Sequence, residues 1–284
     1  MTETARPSWA PEDVDITKPN ASRIYDYFLG GSHNFEVDRA AARAAVEAMP
    51  GIPAIGRANR AVMHRALRFA TDRGISQFLD IGSGIPTFGS VHEAVQRARP
   101  DARVVYVDND PVAVTHSRAV LAGNDNATIA NADLRDPSSV LDHPETRRLL
   151  DFDRPVALML VAITHFLHDG DRPTEIIAAL RDALAPGSVV VITHATLENG
   201  PTPSGQEAVQ QIYRRTTTPL IMRSATELEP FFAGFDLVDP GIVPLPHWRP
   251  DTPDDDLDPA TLHGLAGVGV KPLRLRRGVS RGRT

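Results

Sequence analysis

The chain has no cysteine among its 284 residues. Disulfides, thiolate metal sites and a cysteine nucleophile are therefore excluded. Lysine is almost missing too: Lys18 and Lys271 are the only two, so arginine carries nearly all the positive charge. That reads as a bias of composition and not as a functional signal. No stretch stays apolar for the roughly 18 residues that a membrane-crossing helix needs. The N-terminal run MTETARPSWAPEDVD carries acids and lacks an apolar core, so no signal peptide is expected. The formal net charge is −6, which speaks against a general polyanion-binding surface and against nucleic acid as a partner. There is no G-x-S-x-G for a nucleophile-elbow hydrolase and no Gly-Lys-Ser/Thr for a P-loop. A soluble, cytoplasmic protein is the expectation.

Hydrophobic residues make up 42% of the chain, enough for one large α/β domain. Residues 1–20 are polar and proline-bearing and read as a flexible tail. Residues 21–50 hold two helical runs broken at Gly30-Gly31, and a longer helix follows over roughly 54–73, with Gly74 as its stop. Together, 21–74 make an N-terminal helical lid and leading helix. From residue 75 strands and helices alternate: strands near 77–81, 103–107, 128–130, 156–161, 188–193 and 235–238, and a glycine-rich last strand within LHGLAGVGVK. Ser90 with Glu93, and Ser224 with Glu227, are placed as capping boxes, and Asp110-Pro111 opens a helix. Short β–α links predict an α/β, Rossmann-like, doubly wound and mostly parallel sheet over 75–271. Segment 196–222 is irregular with one helix, and 272–284 is a basic tail. KPLRLRRGVSRGRT has six basic residues and no acid, and reads as solvated.

In such a sheet, ligands bind outside the carboxyl ends of the strands. The first strand runs into FLDIGSGIPT. Gly82 and Gly84 allow a tight turn and a close approach of backbone to ligand. The dinucleotide pattern G-x-G-x-x-G would want a third glycine where Thr87 stands, so a pyrophosphate is poorly served. The second strand ends in VVYVDND, where Asp108 can accept from two ribose hydroxyls and Asp110 caps the next helix. The third ends in ANADLRD. Asp133 at that edge can accept from an adenine amino group, with the Leu134 N–H on the ring nitrogen, while Asp136 suits the cap before Pro137.

LDIGSG, VVYVDNDP, NADLRDP and VALMLVAITHFLHD, in this order, resemble the motifs of class I S-adenosylmethionine-dependent methyltransferases, with Pro86 where the last motif glycine usually stands. SRIYDYFLGGSHNFEVDRAA, NRAVMHRAL, FLDIGSGIPT, LAPGSVVVITH and GIVPLPHWRPD are similar to a bacterial S-adenosyl methyltransferase family of unassigned acceptor, across about residues 18–271. The resemblance implies a seven-stranded sheet with its last strand antiparallel, and S-adenosylmethionine as cofactor. It implies Gly82, Ser83 and Gly84 beside the methionyl and ribose parts, Asp80 orienting the cofactor through the loop or a water, and Asp108 on the ribose. Asn109 would lie beside the adenine, with Asp133 and Leu134 reading its edge. Val161, Ala162 and His165 would line the sulfonium end, and Tyr25 and Asn34 of the lid would touch the cofactor. Arg60 would pair with the methionine carboxylate.

Methyl transfer needs chiefly an in-line nucleophile about 3 Å from the methyl group. A base matters only if the acceptor must lose a proton. His165 is the preferred base and His194 a second candidate, with a structural role for His165 as the alternative. Tyr213, Arg214 and Arg215 lie where a small-molecule acceptor could be recognised. His165, His168 and Asp169 lack a fourth ligand for a metal, and no metal is expected. A non-catalytic sensor of the same cofactor, and a nicotinamide-dependent oxidoreductase, are the two competing readings.

Overall fold

The computed structural model describes residues 7, 9–12, 14–86, 89–198, 203–216, 219–252 and 259–273. Three helices lead: α1 (Ala21–Phe28), α2 (Glu36–Ala48) and α3 (Ile52–Asp72). The alternating part runs β1 (Gln77–Ile81), α4 (Val91–Ala98), β2 (Arg103–Asp108), α5 (Pro111–Val120), β3 (Ala127–Asn131), α6 (Pro137–Leu141), α7 (Pro144–Leu149), β4 (Ala157–Val161), α8 (Pro173–Asp182) and β5 (Val189–Ala195). Then come α9 (Pro203–Tyr213), α10 (Ala225–Leu228), β6 (Asp236–Leu237), β7 (Val243–Pro244) and β8 (Gly264–Val270).

The sheet order is β3-β2-β1-β4-β5-β8-β6. The first five are parallel, and β8 runs antiparallel to β5. The sheet has eight strands, one more than expected, because the seventh position is split. β6 pairs Gly269 and Val270, and β7 pairs Ala266 and Leu265, so two short strands share one edge of β8. The almost wholly buried runs of β1, β2, β4 and β5 are those of strands covered on both faces. Along β1 the period of two sends Leu79 and Ile81 to one face and Phe78 to the other. The first face packs on Ile176, Ile177 and Leu180 of α8, and the second on Val62, Met63, Ala66 and Leu67 of α3.

The leading helices carry a third apolar cluster. Ala21 and Ile24 of α1, Ala42 and Ala45 of α2 and Ile52 of α3 meet Val209 and Tyr213 of α9. Beneath it the Arg23 guanidinium donates to Asp38 at 2.9 Å, and both side chains are at most 4% exposed. The Asp38 carboxylate also accepts from the backbone of Asn20 and Phe35, which ties the start of α1 to the start of α2. The leading tail is better anchored than its composition implied. Ala10 and Val14 are buried against Phe35, Ile85, Val112 and Ala113, and Trp9 stacks on Phe35 at 5.0 Å. Three apolar side chains at Trp9, Ala10 and Val14 are enough to fix it over the start of α5.

Of the two expected capping boxes, Ser224 and Glu227 form theirs reciprocally. Ser90 bounds α4 without capping it, since its hydroxyl contacts His92 Nδ1 and Glu93 instead accepts from Gly89 N–H. Segments 199–202, 253–258 and 274–284, and with them most of the acidic loop and of the basic tail, lie outside the described residues.

Candidate active site

Gly82 follows β1 with φ +72°, and its N–H donates to Val107 O at 2.8 Å. A Cβ on Gly82 would lie 2.4 Å from the Ile163 side chain, so both torsion and space demand glycine. Gly84 also has a positive φ, +65°, but the space where a Cβ would stand is open. Gly84 lines a cavity of about 300 Å³ along the carboxyl ends of β1, β2, β3, β4 and β5. Thr87, the missing third glycine, lies outside the described residues.

Two buried carboxylates face this cavity from the strand ends. Asp108, at the end of β2, accepts from Gly84 N–H at 2.8 Å and from Asp110 N–H at 2.9 Å. Burial still pushes its carboxyl up to about 6. Asp80 is pushed up to about 7, chiefly by burial; Arg60 opposes the shift and Asp108 adds to it. Asp110 caps α5, accepting from Val112 N–H at 3.0 Å, as its spacing predicts. At the end of β3, Asp133 is half-buried. Burial pushes it up, but the Arg135 side chain and backbone outweigh that and hold it below its usual range. Asn109 Nδ2 donates to Asp133 at 3.2 Å, which links the β2 and β3 ends.

Past β4 the chain turns through Ala162, held in the left-handed region at φ +54°. Strain of this kind collects at functional sites. The Ala162 N–H donates to Thr193 Oγ1 at 2.8 Å, Thr193 donates to Asn59 Oδ1 at 2.6 Å, and Asn59 Nδ2 donates to the Tyr25 hydroxyl at 3.0 Å. The Tyr25 hydroxyl in turn donates to Gly56 O at 3.2 Å. One polar chain thus joins the β4 turn to β5, α3 and the lid.

His165 lies just beyond. Its Nδ1 accepts from Ala195 N–H at 3.3 Å, which places the proton on Nε2. Burial, with Arg223 second, drives its pKa down to about 3. A ring so held is neutral and presents an N–H, so it suits a donor and not the general base expected of it. His194 is driven well below the usual histidine range, by burial first and then by His165 and Arg223. Its Nδ1 contacts Thr164 Oγ1 at 2.8 Å, and its Nε2 is buried without a partner among the described residues.

The cavity is lined by Tyr25, Arg60, Asp80, Gly82, Ser83, Gly84, Asp108, Asn109, Asp133, Leu134, Val161, Ala162 and His165. The folded chain thus brings together thirteen of the fourteen site residues expected from sequence. Asn34 is the exception. It is buried behind the wall, where its Nδ2 donates to Asp26 Oδ2 at 2.8 Å and to Gly31 O at 3.0 Å. It orders the Gly30-Gly31 turn, because a short amide there can serve the carboxylate of α1 and the loop carbonyl at once. Asn59 and Thr193 were not anticipated. Asn59 shares the face of α3 that carries Val62, Met63 and Ala66, and a polar residue on an apolar stripe is the signal that marks it. Thr193 has no such mark within an apolar strand. Among the described residues no group of three or more His, Asp or Glu could hold a metal, and His165, His168 and Asp169 do not form one.

The sequence matches the S-adenosyl methyltransferase family over residues 7–272. The chain belongs to this family. A crystal structure of a candidate methyltransferase from Thermobifida fusca is 44% identical, with a TM-score of 0.87, and the match covers 94% of this chain and 100% of that one. A DUF574 family protein from Streptomyces avermitilis is 39% identical, with a TM-score of 0.86, over 91% of this chain and 99% of that one. No curated protein matches the sequence. Membership sets aside the nicotinamide-dependent alternative.

S-adenosylmethionine is the cofactor of the family, and the residues present fit it. The pair of buried carboxylates, Asp80 and Asp108, with the nearby charge of Arg60, calls for a ligand that is cationic on balance. The Ser83 hydroxyl is buried without a partner among the described residues, so this loop has a polar group left to pair. The open face of Gly84 admits a ligand against the backbone. No helix among the described residues is long and apolar enough to cross a membrane.

Proposed function

We propose that the protein transfers the methyl group of S-adenosylmethionine, in line, to a small-molecule acceptor. The cofactor supplies a methyl carbon already activated by a sulfonium. The chain's part is to bind, orient and exclude water. Asp108 accepts from the ribose hydroxyls, while its bonds to Gly84 and Asp110 hold its carboxylate in place. Asp133 and Leu134 meet the adenine edge, with Asn109 beside it and Arg135 fixing the Asp133 carboxylate. Arg60 receives the methionine carboxylate, and Asp80 the cationic part of the methionyl arm. Gly82, Ser83 and Gly84 form the cradle. Val161 and Ala162 border the sulfonium, and Tyr25 closes it from the lid. The division into a lid over 21–74, a binding core over 75–271 and an acceptor-side segment at 196–222 belongs to the same proposal.

The observation that carries this reading is the continuity of the cavity. It runs from Asp108 and Asp133, past Ala162, to Phe166 and Tyr213. A sensor needs only the first half of that space, whereas a transferase needs the second half for its acceptor. Calorimetry should show S-adenosylmethionine and S-adenosylhomocysteine binding at micromolar concentrations. Labelled methyl transfer into fractions of a cell extract, against heat-killed protein, tests turnover. Tight binding without transfer to any fraction would favour the sensor.

A further inference from the structure

The two ends of the cavity differ in charge. Every charged side chain that lines it (Asp26, Arg60, Asp80, Asp108, Asp133 and Arg135) comes from α1, from α3 or from the ends of β1, β2 and β3. The end past β4 and β5 includes His165, Phe166, His194, Val209, Tyr213 and Leu220, with His168 and His263 also on its wall. The rings are ordered there. His165 stands edge-on to Phe166 at 4.4 Å, Phe166 stacks with Tyr213 at 6.2 Å and 28°, and His194 lies 5.5 Å from His165. Flat, apolar walls of this kind accept a flat ring.

Two side chains at this end can donate, His165 and Tyr213. His165 Nδ1 is occupied by Ala195 N–H, so Nε2 carries a proton. Burial pushes the Tyr213 hydroxyl well above its ordinary range, so it too keeps its proton. Behind the histidines the guanidinium of Arg223, 6% exposed, donates to Thr164 O, to Leu167 O at 3.0 Å and to Asp169 at 2.6 Å. Asp169 is 89% exposed and screened by water, so Arg223 leaves a positive potential at the two buried rings. Its charge lowers both histidines, which is the same field seen from their side. Donors plus a positive field select an oxygen that carries negative charge. His165, His194 and Tyr213 are not placed to take a proton near neutral pH, so a hydroxyl held against these three is methylated most readily if it arrives ionised.

We propose that the acceptor is a flat aromatic compound with an acidic hydroxyl, bound as its phenolate, with His165 Nε2–H donating to the oxygen and Tyr213 O–H as a second donor. The inference rests on the reading of the site as a methyl-transfer centre. In the step, an oxygen lone pair forms the new C–O bond as the C–S bond breaks and its electron pair stays on sulfur. An anion and a sulfonium become a neutral ether and a neutral thioether, and no proton moves. The buried phenolate is offset by the sulfonium facing it, so cofactor and acceptor should bind with positive coupling. His165 and Tyr213 would be specificity-determining residues.

The test uses the full-length protein and 4-nitrophenol, whose phenolate is yellow. In the presence of S-adenosylmethionine the bound probe should show phenolate absorbance at a pH where the free probe is mostly neutral. With S-adenosylhomocysteine, which lacks the sulfonium charge, the affinity should fall about tenfold. His165→Leu should lower affinity for the phenolate about tenfold or more, His165→Gln, which keeps an N–H, should recover part of it, and Tyr213→Phe should weaken it without loss of fold. Calorimetry of S-adenosylmethionine on the same variants separates the two readings. If the cofactor does not bind wild type, the transferase reading fails. If it binds but the probe binds only as neutral phenol, not at all, or equally to wild type and the variants, the phenolate inference is overturned. Methyl transfer to ring nitrogens in preference to phenols would also overturn it.

Discussion

The carboxylate of Asp108 accepts from Gly84 N–H at 2.8 Å, so the residue that ends β2 holds the turn that follows β1. Its other oxygen accepts from Asp110 N–H at 2.9 Å. Asp108→Asn keeps the shape but removes the charge and one acceptor. It should weaken S-adenosylmethionine binding by about 1–3 kcal/mol, five- to 150-fold, by calorimetry. Asp108→Ala leaves both N–H groups without their acceptor, and should lower the melting temperature of the free protein as well.

Asp80 and Asp108 make the free protein sensitive to pH in a direction opposite to most acids. Both folded carboxyls lie above the usual range, near 7 and near 6. The stability tied to their protonated forms is full below about pH 4 and is lost as pH rises through those values. Melting temperature of the free protein should therefore decline between about pH 4 and about pH 7. Asp80→Asn should flatten that decline and raise stability at the alkaline end. A cationic ligand prefers the ionised carboxylates, so affinity for S-adenosylmethionine should rise over the same window, with proton release visible as a buffer-dependent heat. In Asp80→Asn the affinity should be lower and less dependent on pH.

How far the site could be read from sequence depended on whether each residue carries its role locally. Asp108, Asp133 and the Gly82–Gly84 turn sit at the ends of apolar runs, and strand ends in a doubly wound sheet are where ligands go. Their placement follows from the strand boundaries alone. Asn34 lies in the same N-terminal segment as Tyr25, but its amide is turned to Asp26 eight residues earlier and not to the cavity, a choice that sequence position does not reveal. His165 was placed rightly in the cavity, but its tautomer is set by the backbone of Ala195 on another strand. A separation of thirty positions along the chain hides that contact. The split seventh strand was missed for a related reason: a strand of two residues has no period to detect.

Ala162 offers a test of strain. At φ +54° a residue with a Cβ costs about 1–2 kcal/mol relative to glycine. Ala162→Gly should stabilise the free protein by about 1 kcal/mol, read as a rise of about 2–4 °C in melting temperature. The same change frees the turn that our proposal sets beside the transferred methyl group, so KM for the cofactor should rise. Thr193→Val removes the acceptor of the Ala162 N–H and the donor to Asn59, and should cost about 1–3 kcal/mol. If both variants melt together with wild type, the polar chain from the β4 turn to the lid has no energetic weight.

The lid itself hangs on the Arg23–Asp38 pair. Its carboxylate receives the guanidinium and two backbone N–H groups, so the pair is fully hydrogen-bonded as well as buried. Removing one partner leaves the other charged and buried, which costs about 3–5 kcal/mol. Arg23→Met should thus open the lid without unfolding the sheet, because α1 and α2 share few residues with the two sheet-facing clusters. Limited proteolysis should cut the variant faster within residues 20–50 than wild type, while the remainder persists as a fragment. An open lid also depletes the binding-competent population, and apparent cofactor affinity falls by that fraction. The double variant Arg23→Met/Asp38→Leu removes both charges of the pair and leaves Asp110, 3.7 Å from the guanidinium, as the one carboxylate that loses its cation. It should recover much of the protease resistance and of the affinity. If Arg23→Met instead melts the whole chain in one step with no protected fragment, the lid is not a separable unit.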